Sequence, residues 1–351
     1  MTSEQVLVLA WLVLAHLVAD FVLQTDGMVV DKTSSTRSRR WRGLGRHGGA
    51  VALCLLPFAL AYGLPGVAVV VVGTVTHVVV DRWKVRATRR AEARALAGAH
   101  RRHEAPTGAG GDGLGPAWTP VPGTLFLVDQ LLHLGVLTGA WLVFLARAQP
   151  LEAWSAAVGQ LTPGDEAQFH RWVLLAVLLA SLLIVNVRAG ALFVATLVRP
   201  RESVSGPDPG ATASARPADG ERATAAVPRS PTGSAVGWRV TVGPIVATAE
   251  PVEQQPRPTA VPAHVQAGRA APARVGATIG VLERLLIVTF VLTGSAAAIG
   301  FVVAAKTLAR FKQLDDRDFA EYYLLGTLAS VAVALGSALL AQAALASLSP
   351  G

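Results

Sequence analysis

Histidine and aspartate residues recur at four-residue steps in three apolar stretches of the chain. The pairs are His16 with Asp20 in WLVLAHLVADFVLQ, His77 with Asp81 in THVVVDRWK, and Asp129 with His133 in FLVDQLLH. A four-residue step places both side chains of a pair on one face of a helix. Imidazole and carboxylate groups together suit zinc, manganese or iron, and this set is large enough for one ion or two. An ion with an open coordination position activates water, so the pattern favours metal-dependent hydrolysis without naming a catalytic residue or a substrate.

Further polar residues accompany the three pairs. They are Gln24, His47, Lys84 and Gln130. Gln24 continues the four-residue step of the first pair, which predicts that it shares the same helix face. His47 follows a basic loop, where an exposed histidine is at least as expected as a ligand. Lys84 is expected to reach the lipid headgroups, or alternatively to bind an anionic substrate.

The same residues suit two other functions. Asp and His side chains in a membrane can relay protons or cations. They can also hydrogen-bond within one helix or hold helices together, which would make the protein a structural or scaffolding membrane protein. The outer halves of the first and third stretches, VLVLAW and GVAVVVVG, are almost wholly apolar. This favours a one-sided site over a translocation path, and three pairs at one depth favour a site over packing pairs alone.

The composition is that of an integral membrane protein. Of the 351 residues, 52% are hydrophobic and 15% are charged, and the mean hydropathy is +0.46. Such a chain is too apolar for an ordinary soluble protein. The net charge of +8 comes from Lys and Arg in short loops, so the lipid bilayer rather than nucleic acid is the expected partner. Cys54 is the single cysteine and cannot form an internal disulfide.

Apolar runs of roughly 20 residues predict an all-α, polytopic transmembrane bundle with about seven membrane segments. The runs are 5–24, 48–64, 66–84, 123–146, 170–198, 277–305 and 319–348. The fifth run contains Asn186, Arg188 and Gly190, so it either breaks or continues past the interface. The first run follows MTSEQ, which lacks the basic region of a signal peptide, so we expect it to be a retained membrane helix.

Three regions are predicted. Residues 1–198 form the bundle with the His and Asp site, residues 199–276 form a disordered linker rich in Pro, Ala and Gly, and residues 277–351 form a helix pair with a basic interfacial segment. Within the linker, residues 236–246 alternate as a strand would, but nothing flanks them to make a sheet. Residues 86–122 are predicted to be an extended loop. The helix pair either docks on the bundle or packs with a second subunit, which leaves homo-oligomer formation open.

Loop charges predict the orientation in the cell membrane. The basic residues after the first segment are Lys32, Arg37, Arg39, Arg40, Arg42 and Arg46, and those after the third include Arg82, Lys84, Arg86, Arg89 and Arg90. By the positive-inside rule both loops are cytoplasmic and the amino terminus lies outside. At ~1.5 Å per residue, Asp20 then lies roughly 6 Å and His16 roughly 12 Å from the cytoplasmic end of the first helix. The side of the carboxy terminus stays open, because Lys306 to Arg317 would fall outside if seven segments alternate.

Several motifs carry a family resemblance. HLVADFVLQ, THVVVDRWK and DQLLH, together with the late run IGFVVAAKTLARFKQLDDRDFAEYYLLGTLAS, resemble the bacterial membrane proteins grouped as domain of unknown function 3307. The resemblance implies an integral membrane protein and no established activity. It marks as motif positions His16, Asp20, Gln24, His77, Asp81, Lys84, Asp129, Gln130 and His133. The spacing of His and Asp is also loosely similar to that of inner-membrane metal-dependent hydrolases.

The carboxy-terminal region holds further charges. Glu283 with Arg284, and Arg317 with Glu321, either form ion pairs or are ordinary interface charges. Residues 308–314 are predicted to form a short basic amphipathic helix on the membrane surface.

Overall fold

Most of the apolar runs fold as long helices in the computed structural model, which describes residues 3–104, 119–161, 166–198, 237–242, 247–252 and 272–346. Six helical spans among these residues are long and apolar enough to cross a membrane. They are Glu4–Phe21, Arg37–Tyr62, Leu64–Ala95, Val121–Leu145, Gln168–Val198 and Phe319–Ala346. The prediction of a helical membrane protein is confirmed. The chain divides into one unit of Met1–Ser203 with Ala273–Gly351 and another of Val204–Pro272.

The amino-terminal helices surround the predicted site. They are α1 (Ser3–Phe21), α2 (Asp26–Lys32), α3 (Arg37–Tyr62), α4 (Leu64–Glu104) and α5 (Val121–Ala140). The last of these continues as a π-helical turn, Trp141–Leu145, and α6 (Glu152–Leu161) follows. Because α1, α3, α4 and α5 carry apolar residues on their facing sides, they share a core that includes Leu12, Leu55, Val69 and Leu137.

The first helix is shorter than its apolar run. It ends at Phe21, and the hydroxyl of Thr25 accepts a hydrogen bond from the backbone N–H of Met28 at 3.3 Å, which caps the new helix α2. Gln24 therefore lies in the connection and not on the helix face of Asp20, so that prediction is wrong. The short helix α2 returns the chain to the bundle and buries Lys32.

The helices α3 and α4 are longer than their apolar runs. The first begins at Arg37 instead of residue 48, and the second continues to Glu104 instead of ending near Lys84. The predicted loop is therefore wrong for residues 86–104. Arg, Ala and Glu are strong helix formers, so the helix extends beyond the part that hydropathy marks. Residues 105–118 of that loop lie outside the described residues.

The fifth run is one continuous helical span with a local widening. It consists of α7 (Glu166–Ile184), a π-helical turn at Val185–Ala189, and α8 (Gly190–Val198). The open question of whether this run breaks is thereby answered, since the π turn accommodates its polar residues without ending the helix. Asn186, in the π turn, is fully buried.

The run 277–305 is two helices, so the prediction of one crossing there is wrong. These are α9 (Pro272–Leu292) and α10 (Ala297–Ala309), and Gly294 between them has a φ of +73°. Glycine adopts this left-handed conformation readily, which ends α9 and reverses the chain. Nζ of Lys306 lies 2.6 Å from Oε2 of Glu283 on the preceding helix, as expected for a helical hairpin.

The remaining carboxy-terminal predictions have mixed outcomes. Glu283 pairs with Lys306 and not with Arg284, whose guanidinium donates to the backbone oxygen of Asn186 at 2.6 Å. Nε of Arg317 lies 3.2 Å from Oε1 of Glu321, so of the two alternatives for these residues the structure has the ion pair.

The predicted surface helix 308–314 is wrong. There α10 ends at Ala309, and a 3-10 turn, Phe311–Gln313, leads to α11 (Arg317–Ala346). Ala334 and Ala338 of α11 pack with Ile287 of α9 and Leu182 of α7, so the carboxy-terminal helices dock on the same chain.

Most of the predicted linker lies outside the described residues. Its described parts are β1 (Gly237–Val242) and β2 (Ala247–Val252), which pair antiparallel with Trp238 opposite Pro251. The expectation that nothing pairs with residues 236–246 is therefore wrong. A partner strand follows directly along the chain, and its Thr248 and Val252 are β-branched residues that favour strands.

Candidate metal centre

The four helices α1, α3, α4 and α5 bring seven His and Asp side chains into one buried layer. These residues, which we call the His–Asp cluster, are His16, Asp20, His47, His77, Asp81, Asp129 and His133, each at most 9% exposed. The layer lies near the carboxy-terminal end of α1 and about midway along α5. His47 joins it because α3 begins well before the apolar run, which places this residue inside the bundle. His47 is therefore not an exposed loop histidine, and its role as a ligand stays a prediction.

Three atoms of the cluster form a tight triangle. Oδ1 of Asp20 lies 3.4 Å from Nε2 of His47 and 3.2 Å from Nε2 of His77, and the two Nε2 atoms are 2.9 Å apart. Ligand atoms at 2.0–2.1 Å from a tetrahedral zinc ion are about 3.3 Å from one another. The triangle therefore has nearly the dimensions of one face of such a tetrahedron.

A second group shares the same carboxylate. His16, Asp20 and His133 each offer a ligand atom, and these atoms lie within 4.8 Å of one another. Nδ1 of His16 is 3.9 Å from Oδ1 of Asp20, so this group is wider than the triangle. The ring centroids of His77 and His133 are 4.0 Å apart, which joins the two groups. Asp20 is thus placed to bridge two adjacent positions.

Several polar atoms of the His–Asp cluster are buried without a hydrogen bond to any described residue. They are Nδ1 of His47, Oδ1 of Asp129, and both Nδ1 and Nε2 of His133. A buried polar atom without a partner costs free energy, so most such atoms in proteins are paired. Nδ1 of His133 lies 3.7 Å from Oδ1 of Asp129, which is beyond hydrogen-bond distance. Neither nitrogen of this ring therefore has a hydrogen bond to a described residue, which fits a metal ligand better than a packing contact.

The amide of Gln130 connects the carboxylates from one side. Its Oε1 lies 3.2 Å from Nε2 of His16, and its Nε2 donates to Asp129 at 3.0 Å and to Asp20 at 3.4 Å. Nζ of Lys84 lies 2.6 Å from Oδ2 of the same Asp129. Lys84 therefore points into the bundle, and the expectation that it reaches the headgroups is wrong. Without this ammonium group the buried carboxylate of Asp129 would lose its cation, which is costly.

The sequence interpretation misses Lys32, because its position between two apolar runs marks it only as a loop charge. It is 7% exposed, and its Nζ donates to Oδ2 of Asp81 at 2.8 Å and to Oε1 of Gln24 at 2.5 Å. The carboxylate of Asp81 also lies 3.6 Å from Nε2 of His47. A usable signal was the helix cap at Thr25 followed by an apolar turn, which predicts a short helix that carries Lys32 back towards the bundle.

The charge balance of the cluster favours a cation. Three carboxylates, from Asp20, Asp81 and Asp129, face the ammonium groups of Lys32 and Lys84. With neutral imidazoles, these described groups carry one formal negative charge in excess. A buried excess charge is costly in a membrane interior and is lowered by a bound cation.

A small cavity opens on the core side of the cluster. His16, His77 and His133 form its polar wall, while Val51 and Leu55 contribute to its apolar wall. The hydrophobic core lies beyond it. The cluster thus borders apolar packing on one side and the basic ends of α3 and α4 on the other.

Residues 8–161 match the model of the family described as "Protein of unknown function (DUF3307)". The match covers less than half of the 351-residue chain, and we use the name DUF3307 domain for residues 8–161. The resemblance that the motifs carry is confirmed here, and the DUF3307 domain contains every residue of the His–Asp cluster. The late run from Ile299 lies outside the match. No curated protein and no solved structure matches the chain, so the looser similarity to metal-dependent hydrolases is not shown.

Proposed function

We propose that the DUF3307 domain binds a divalent metal ion in the His–Asp cluster and uses it in hydrolysis. The observation that carries the proposal is the triangle of Asp20 Oδ1, His47 Nε2 and His77 Nε2, with edges of 2.9 to 3.4 Å. Three protein ligands with a fourth position left for water are typical of catalytic zinc sites. Zinc, manganese and iron all accept this ligand set.

The surrounding residues have distinct roles in this proposal. Asp81, held by Lys32, lies 3.6 Å from Nε2 of His47, on the side of the ligand atom, so its carboxylate would be a further oxygen ligand for the ion. His16 and His133 provide a second position that shares Asp20, which fits a site for two ions. A bound ion would supply the acidity that converts water into a nucleophile near neutral pH. Gln130 and Lys84 fix Asp129 at the edge of the site.

The orientation in the membrane is part of the proposal. Basic residues crowd the first turns of α3 and the last turns of α4, at the same end of the bundle as the His–Asp cluster. By the positive-inside rule this end is cytoplasmic and the amino terminus lies outside. The site would therefore act on a substrate that reaches it from the cytoplasm or from the inner leaflet.

The packing opposite the basic end argues against translocation of protons or cations. Leu12, Leu55 and Val69 are almost completely buried there and form part of the continuous hydrophobic core. A translocation path requires polar groups or water through that half of the bundle. A purely structural role is the other alternative, and it leaves the unpaired nitrogens of His133 without explanation.

The test is elemental analysis of the full-length protein purified in detergent. We expect the wild type to contain a stoichiometric transition metal and Asp20→Asn to lose it, because Asp20 belongs to both ligand groups. Asp26→Asn, which changes an exposed carboxylate on α2, serves as the matched control and should keep the metal. If Asp20→Asn does not fold, His77→Gln tests the same triangle. Metal at background level in the wild type, or full retention in the folded variants, would exclude the proposal.

A further inference from the structure

A second concave site opens between α2, α3 and α4, on the basic side of the His–Asp cluster. We call it the arginine pocket. It is lined by Lys32, Arg40, Leu44, Arg82, Val85, Arg86 and Arg89. Five of these seven residues are cationic, and no carboxylate is among the described residues that line the pocket.

The chain holds these cations together by its helix geometry. Arg82, Arg86 and Arg89 follow one another at steps of four and three residues, so they share one face of α4. Arg82 stacks over the ring of Trp41 on α3, with 4.7 Å between its guanidinium carbon and the ring centroid. Arg40 is tied by a hydrogen bond from its Nη2 to the backbone oxygen of Ser35 at 3.0 Å. These contacts hold two of the four guanidinium groups, those of Arg40 and Arg82, at the pocket.

Like charges at these helical spacings repel one another and lower the stability of the helix. A bound anion removes that cost and gains charge-assisted hydrogen bonds from several guanidinium groups. Arginine forks match the oxygens of a phosphate group in geometry as well as in charge. Leu44 and Val85 add an apolar wall. Basic pockets between membrane helices on the cytoplasmic side are known to bind lipid head groups.

We propose that the arginine pocket binds the phosphate group of an anionic phospholipid or of a soluble phosphate ester. Lys32 connects the pocket to the His–Asp cluster, because it lines the pocket while its Nζ binds Asp81 at 2.8 Å. Phosphate binding here does not require a metal ion, so this inference goes beyond the proposed function and stands or falls separately from it.

The test measures ligand retention by the full-length protein in detergent. Phosphatidic acid is compared with diacylglycerol of the same chains, which lacks only the phosphate group. We expect the wild type to retain phosphatidic acid at least tenfold more strongly. Competition by inorganic phosphate identifies a soluble phosphate ester as the ligand source, whereas retention that resists inorganic phosphate identifies the lipid.

Two combined variants separate the pocket from general surface charge. Arg82→Gln, Arg86→Gln and Arg89→Gln together should weaken retention more than tenfold, since each basic side chain near an anionic group contributes roughly fivefold. The matched control combines Arg42→Gln, Arg46→Gln and Arg90→Gln, which removes three exposed cations that do not line the pocket. The control should retain the lipid within about twofold of the wild type.

Two results would overturn this inference. One is equal retention of phosphatidic acid and diacylglycerol, and the other is an equal loss in both combined variants. If the triple pocket variant does not fold, the single change Arg86→Gln at an exposed side chain provides the same comparison against Arg90→Gln. Elemental analysis of the same preparations reports on the metal separately, so a failed phosphate site and a failed metal site are distinguishable.

Discussion

The carboxylate of Asp20 lies 3.2 Å from Nε2 of His77, which joins the carboxy-terminal end of α1 to the middle of α4. The same oxygen lies 3.4 Å from Nε2 of His47 on α3. One carboxylate oxygen of α1 therefore contacts imidazole nitrogens from two other helices, α3 and α4. In a membrane bundle, such a convergence of polar groups is costly unless it binds something or carries out chemistry.

The two ligand groups should differ in their effect on metal content. His47→Ala removes a corner of the triangle and should lower the metal content more than His133→Ala does, because the group that it leaves intact, His16, Asp20 and His133, is the wider of the two. His133→Ala leaves the triangle intact, so it should keep at least one ion for each chain and lose only a second one. Elemental analysis of both purified variants against the wild type measures this difference. Equal loss in the two variants would show that the cluster is one indivisible site.

Removal of the ammonium group of Lys32 should destabilise the bundle. Lys32→Met leaves Asp81 buried without its nearest cation, and breaking a buried ion pair in this way costs about 3–5 kcal/mol. Thermal unfolding, followed by tryptophan fluorescence in detergent, should show a clearly lowered midpoint. Adding Asp81→Asn to Lys32→Met should restore part of the loss, because no charge is then left unpaired. Arg39→Met, at an exposed side chain, is the control, and an equal effect there would contradict the importance of the buried pair.

The close contact between α3 and α4 depends on a glycine. A Cβ atom at Gly66 would lie only 1.9 Å from the backbone oxygen of Phe58, so Gly66→Ala forces the two helices apart. Overpacking of this kind typically costs about 1–3 kcal/mol. Gly139→Ala on α5 is the control, since its Cβ would meet no atom within 4 Å. We expect a lowered thermal unfolding midpoint for Gly66→Ala and an unchanged or raised midpoint for Gly139→Ala. A larger loss in Gly139→Ala than in Gly66→Ala would contradict the close approach of α3 and α4 at Gly66.

The misplaced predictions share a physical origin. Hydropathy marks the part of a helix that is apolar, whereas the helix itself continues as long as its residues favour helical backbone. For that reason α4, which continues through Arg, Ala and Glu residues, ends later than its apolar run. The early start of α3 has a tertiary cause, since Leu44 and His47 in this part of the helix are buried in the bundle. Conversely, α9 ends inside an apolar run, because Gly294 adopts the left-handed backbone conformation that terminates helices. This effect does not depend on the hydropathy of the neighbouring residues.

The sequence by itself determined the membrane class, most of the spanning helices and the three His and Asp pairs. These depend on composition and on helical periodicity, which are properties of neighbouring residues. The tertiary structure decided that His47 and Lys32 enter the cluster and that Lys84 turns inward to Asp129. It also decided which nitrogens meet at Asp20. Those relations depend on where each helix ends and how the helices pack, and local spacing does not encode a distance between atoms on different helices.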